Sequence, residues 1–136
     1  MFETFAIDVD SFHRDDLPDR LAAGNGGLVA PLVADRRPMT FDVDGSVWTY
    51  VPTPAGLDIV PGAVEGAARV ALPNHRFAAF VGEYHTAMGL LYGEFATGDV
   101  GELTQWEPAV RAAYHGRPPY DPAVVDLGGL DPERTF

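Results

Sequence analysis

The sequence has no cysteine and no lysine. Without cysteine there is no disulfide, no thiolate metal site and no thiol nucleophile. Without lysine, all nine basic residues are arginine, set against 20 acidic residues for a formal charge of -11. That balance argues against the broad phosphate-binding surface of nucleic-acid proteins and against docking on anionic membranes. Neither a nucleic-acid partner nor stable membrane association is expected. Serine is nearly absent too: Ser11 and Ser46 are the two in the chain, and no Gly-x-Ser-x-Gly pattern presents a nucleophile. No run approaches the roughly eighteen apolar residues of a membrane span. The opening Met1-Phe2-Glu3-Thr4-Phe5 lacks the positive region of a signal peptide, so a cytoplasmic protein is expected. Missing lysine beside abundant Ala, Gly, Pro, Asp and Arg reads as the bias of a GC-rich bacterial genome.

What remains suits one domain. The 136 residues are 46% hydrophobic, enough for a real core and too apolar for compositional disorder. Residues 12–34 read as two helical pieces. Phe12, Leu17 and Leu21 share a face in the first, and Gly24-Asn25-Gly26-Gly27 interrupts before Leu28. Met39, Phe41 and Val43 alternate with Thr40, Asp42 and Asp44, a half-buried strand. Asp44-Gly45 is a hairpin signal and Ser46 to Val51 the returning strand. Leu57 to Val60 and Ala67 to Leu72 supply a third and a fourth strand.

The period then changes. Asn74 fits a helix cap, and Phe77, Phe80 and Tyr84 follow at helical spacing, continued by Met88, Leu91 and Tyr92 past Gly82. Phe95 and Thr97 suit a short last strand. Leu103 to Tyr114 suits a last helix, ended by Gly116. The expectation is an α+β fold: an antiparallel sheet of four to five strands with helices packed on one face. Residues 1–116 form this domain. Residues 117–136 form a proline-rich tail that packs on the domain or leads to a further one.

In this order of elements, the stretch from Thr40 to Ala112 resembles the sterol-carrier-protein-2-like domain family. The features that carry the resemblance are Asp44-Gly45, Leu57 to Val60, and Val70-Ala71-Leu72 with Asn74. Phe77–Gly82, His85–Tyr92, Phe95 to Asp99 and the helix from Leu103 complete it. The resemblance implies an apolar cavity between sheet and helices for acyl chains, sterols or acyl-CoA. The acidic charge departs from lipid-transfer members and disfavours acyl-CoA and membrane roles. A second, local stretch runs from Trp106 to Pro118 and on through Tyr120-Asp121-Pro122 and Val125-Asp126-Leu127. It is similar to the region ahead of the catalytic domain in bacterial phytanoyl-CoA dioxygenase-like proteins. The iron motif His-x-Asp or His-x-Glu is missing here, so this likeness implies an accessory domain and not the catalytic unit.

Two residue sets follow. A ligand wall would combine Trp48 and Tyr50 on a strand with the stripe Phe77, Phe80, Tyr84, Met88, Leu91 and Tyr92, unless these simply fill a core. An interface with a dioxygenase-like domain or a second copy would use Trp106, Arg111, Tyr114, Arg117 and Tyr120, unless Trp106 is ordinary core. No catalytic residue, metal site or cofactor is assigned. Glu83 and His85 do not converge on a helix, and Asp42, Asp44 and Asp58 read as a solvated sheet face. The expected function is a noncatalytic binding or accessory module holding a small apolar or acyl-type ligand for an associated enzyme. The alternatives are a structural or dimerisation domain of an oxygenase-like protein and, third, a small isomerase or cyclase with a cavity carboxylate.

Overall fold

A computed structural model describes residues 6–84 and 86–116. The chain enters through one continuous helical run in five pieces. These are α1 (Val9–Ser11), a π-turn (Phe12–Asp16), α2 (Leu17–Arg20), a second π-turn (Leu21–Asn25) and α3 (Gly26–Val33). Asp8 caps the start by accepting from the Ser11 amide at 3.0 Å. Gly24 breaks the run at φ 134, a conformation for which glycine is suited.

The sheet follows: β1 (Met39–Val43), β2 (Ser46–Thr53), β3 (Gly56–Pro61), β4 (Ala68–Leu72) and a short β5 (Thr97–Gly98). Asp44 and Gly45 both have positive φ, 52 and 92, which gives the β1–β2 turn the twist a tight hairpin needs. The strand order is β3-β2-β1-β4-β5. β1–β2, β2–β3 and β4–β5 are antiparallel, while β1–β4 is parallel. Three of the four pairings are antiparallel, as expected of the sheet, and the parallel β1–β4 pairing makes it mixed. The reason is the connection after β3. Residues 62–67 form a strap across the back of the sheet instead of a hairpin. The Gly62 amide donates to Val47 O at 2.8 Å, and the Ala68 amide donates to Pro38 O at 2.8 Å. Under the strap, Thr49 Oγ1 donates to Gly62 O at 2.7 Å and lies 2.7 Å from Thr40 Oγ1. Those bonds satisfy two buried hydroxyls.

The front face carries Met39, Phe41 and Val43 from β1 and Trp48 and Tyr50 from β2, all buried. The helices cover it: α4 (Asn74–Val81), α5 (Ala87–Tyr92) and the long α6 (Val100–His115), with the N-terminal run beside them. Asn74 is not the cap of α4; that position falls to Pro73. Its side chain instead clamps the Ile7 backbone, accepting from the amide at 2.9 Å and donating to the carbonyl at 2.7 Å. The α4 terminus receives Asp44, whose carboxylate accepts from the Asn74 amide at 2.8 Å. At the other end of the layer, Arg20 donates to Tyr114 O and Asn25 to Ala113 O, satisfying carbonyls in the last turn of α6. Gly116 then closes that helix in the left-handed region at φ 68. Among the described residues no helix is long and apolar enough to cross a membrane.

Candidate functional site

The aromatic layer between β2 and the helices is built around one buried histidine. His13 follows Val9 and precedes Leu17 by four residues each, which brings the three to one helical face turned to the sheet. Its Nδ1 lies 2.8 Å from Val9 O, and its Nε2 lies 2.7 Å from the Tyr50 hydroxyl. The Tyr50 hydroxyl lies 2.5 Å from that of Tyr114. A carbonyl only accepts, so Nδ1 carries the proton and Nε2 accepts. Tyr50 must then donate to His13, and Tyr114 must donate to Tyr50. One backbone carbonyl thus orients the whole relay.

The relay is dry. His13 stacks on Trp48 with ring centroids 5.5 Å apart, and Phe12 and Phe77 close around it at 5.1 and 5.6 Å. Burial pushes the His13 pKa down from 6.5 to about 4, so the ring is neutral. Burial likewise raises the Tyr50 and Tyr114 hydroxyls. The relay holds protons in place and presents no ionised group. Trp48 Nε1 finds its acceptor at the rim, Asp10 Oδ1, at 2.9 Å. Trp106 has no equivalent. It is fully buried on α6, with its ring 6.4 Å from that of Tyr50, and among the described residues no acceptor reaches its Nε1.

The eight residues of the expected ligand wall divide in two. Trp48, Tyr50, Phe77 and Phe80 meet in the packed layer. Tyr84, Met88, Leu91 and Tyr92 do not face them; these four are 72%, 45%, 37% and 77% exposed. The single stripe is broken by backbone. Gly82 caps α4 and Glu83 turns into the left-handed region at φ 65. Gly93 caps α5 and Glu94 does the same at φ 56. The usual occupant of such a position is glycine; here each glycine comes one residue early. α5 is thus hung between two matching Gly-Glu pairs, and it buries Ala87 and Leu90 beneath it. Three polar contacts tie the segment to α6. Glu107 accepts from the Ala87 amide at 2.5 Å, His115 Nε2 reaches Val81 O at 2.7 Å, and His115 lies 3.9 Å from Glu83.

The expected interface set is not one surface. Trp106 and Tyr114 are core residues, buried where no partner reaches them, and Arg111 is exposed. Arg117 and Tyr120 lie outside the described residues, as do His85 and the 117–136 tail. Asp42, Asp44 and Asp58 do not cluster. Asp42 pairs with Arg69 at 2.8 Å, Asp44 holds α4, and Asp58 sits in β3 opposite Val51. Among the described residues no group of three or more His, Asp or Glu side chains is placed to hold a metal ion. A void between α4 and α6, lined by Phe80, Glu107, Tyr114 and His115, measures about 10 Å³, room for at most one water. Clefts of about 480 and 450 Å³ open outside the aromatic layer, along Leu57 to Val60 and beside Pro31 and Pro52. Neither is lined by Trp48, Tyr84 or Met88.

His13 and its relay went unread in the sequence. The available signal was the four-residue spacing of Val9, His13 and Leu17, which places a histidine on an apolar stripe.

No protein-family model matches the chain, and no curated protein matches it. Among solved structures the chain is similar to sterol carrier protein 2 from Yarrowia lipolytica in its apo form. The TM-score is 0.58 at 16% identity, over 83% of this chain and 99% of that one. This likeness shows the fold: an α+β domain of sterol-carrier-protein-2-like architecture, with a five-stranded sheet covered by helices on one face.

Proposed function

We propose that the chain is a noncatalytic binding module that takes a small apolar, acyl-type ligand beneath α5. The observation that carries this reading is Trp106 Nε1. A buried donor without an acceptor costs about 1–3 kcal/mol, and such groups are rare in folded proteins. A carbonyl or carboxyl oxygen at the end of an apolar ligand would supply the acceptor. Trp106 precedes Glu107, the residue that holds the start of α5, so the donor lies in the helix against which α5 packs.

The other features agree. α5 is short, bracketed by two Gly-Glu pairs in which the glutamate backbone is strained, and apolar on both faces. If it swings outward, Phe77 and Phe80 from below and Ala87 and Leu90 from the inner face of α5 line one chamber. The buried relay of His13, Tyr50 and Tyr114 lies under the helices and offers no charge, which suits binding of an apolar ligand. The partnership with a dioxygenase-like domain, or with a second copy, gains no support from Trp106 and Tyr114, since both are buried.

The test is titration of the full chain with a fluorescent long-chain fatty acid. Saturable binding is expected, weakened about tenfold in Trp106→Phe, the loss of one hydrogen bond to a charged or strongly polar acceptor. Leu90→Phe, which adds volume on the inner face of α5, should weaken binding as well. Absence of saturable binding, or equal affinity in all three proteins, would reject the reading.

A further inference from the structure

β3 is one edge of the sheet. The Gly62 amide donates to Val47 O, and bonding in an antiparallel pair alternates along the strand. Val60, Asp58 and Gly56 therefore turn their backbone groups toward β2, and Leu57 and Ile59 turn theirs outward. Among the described residues, no strand or hydrogen bond meets these two amides and two carbonyls. A free edge of this kind is a template for another extended chain.

The cleft of about 480 Å³ runs beside this edge. Its far wall is Pro18, Leu21 and Ala22 from the N-terminal helical run, and its near wall is β3. Ile59 pairs with Tyr50, so the side chains of Leu57 and Ile59 stand on the helix side of the sheet. Asp58 stands on the back, is exposed, and makes no ion pair with a described residue. The edge thus offers an apolar groove on one side, a line of backbone donors and acceptors, and a carboxylate on the other side.

These features specify an extended peptide with alternating side chains. Its residues opposite Leu57 and Ile59 would exchange backbone bonds with them and lay apolar side chains against Pro18, Leu21 and Ala22. Its residue opposite Asp58 would stand beside that carboxylate, where a basic side chain is favoured. The charge of -11 favours the same sign. A second copy fits poorly. Antiparallel pairing of two β3 edges through all the outward groups sets Leu57 against the partner's Ile59 and Asp58 against the partner's Asp58, and like charges directly opposite are destabilising. Pro61 has no amide, which limits the contact to a short segment.

We propose that the β3 edge docks an extended segment of a partner protein, apolar–basic–apolar in sequence, as an added antiparallel strand. The docking does not rest on ligand binding beneath α5, and its test uses no such ligand.

The probe is the peptide Lys-Val-Lys-Val-Lys, acetylated and amidated at its ends, added to the isotope-enriched full chain and followed by NMR. The Leu57 and Ile59 amide protons should shift downfield saturably, and their hydrogen exchange should slow about tenfold. The Asp58 and Val60 amides, already bonded to β2, should exchange as before. The same peptide methylated on both valine nitrogens keeps its side chains but cannot donate, and it should not bind. Asp58→Lys should weaken the lysine peptide about fivefold. Asp35→Lys, the same change of charge at an exposed position after α3, should leave its affinity unchanged. Absent or unsaturable shifts at Leu57 and Ile59 would overturn the proposal, as would equal binding of the methylated peptide or equal losses in the two lysine variants. Slow exchange of both amides in the dilute, peptide-free chain would overturn it too, because another segment of the chain then covers the edge. Protection that grows with protein concentration would assign the edge to a second copy and reject the proposal.

Discussion

The direction of the buried relay makes two tyrosine-to-phenylalanine changes unequal. Val9 O fixes the proton on His13 Nδ1, so Nε2 accepts from Tyr50, and Tyr50 accepts from Tyr114. Tyr50→Phe removes the middle hydroxyl. His13 Nε2 loses its donor and the Tyr114 hydroxyl loses its acceptor, both in fully buried surroundings. At about 1–3 kcal/mol for each stranded group, the change should cost about 2–6 kcal/mol. Tyr114→Phe removes only the terminal donor. Tyr50 still donates to His13, and the loss is one net hydrogen bond, about 0.5–1.5 kcal/mol. The double variant should cost no more than Tyr50→Phe alone, because the stranded Tyr114 hydroxyl is gone as well. Urea unfolding near neutral pH, followed by the fluorescence of Trp48 and Trp106, measures all three. Equal costs for the two single variants, or a larger one for Tyr114→Phe, would refute the proton order derived from the Val9 carbonyl.

Two further outcomes follow from the same packing. His13 is neutral in the fold, with its pKa lowered from 6.5 to about 4, whereas the unfolded chain takes up the proton at the ordinary value. Stability should therefore fall as pH drops from 6.5 towards 4, by about 3 kcal/mol from this group. In His13→Asn the pH dependence of unfolding over that window should lose the uptake of about one proton; an unchanged slope would contradict the assignment. Gly56 meets Gly26 where α3 starts against the β2–β3 turn. A Cβ on Gly56 would lie 2.7 Å from Gly26 Cα, at a backbone φ of +137. Gly56→Ala should cost about 2 kcal/mol or more in the same urea assay, and a neutral effect would show that the two backbones do not approach this closely.

The legible parts of the fold were those written in local periodicity. Alternation of Met39, Phe41 and Val43, the Asp44-Gly45 turn and the apolar spacing up to Gly116 placed β1, β2 and α6 correctly. The parallel β1–β4 pairing was not legible. It depends on a strap held by hydroxyl and backbone bonds at Gly62, and residue spacing does not record which way a strand returns. The candidate site was half legible for a similar reason. Phe77 to Tyr92 read as one apolar stripe, and the left-handed turns at Glu83 and Glu94 send its second half outward. Nothing in a glutamate announces that conformation. The sequence marks Trp106 and Tyr114 as interface anchors, with the core as the competing place for Trp106, and both are buried. Their position on α6 faces β2, and only the register of that helix against the sheet decides it.

The proposed acyl-type ligand beneath α5 is tested most directly by the two indole N–H signals in an NMR titration of the full chain with a long-chain fatty acid. Trp48 already donates to Asp10, and Trp106 has no acceptor among the described residues. The account predicts that the Trp106 indole proton moves downfield as it gains an acceptor, while the Trp48 signal stays in place. A titration that leaves Trp106 unmoved, or shifts only Trp48, would contradict it.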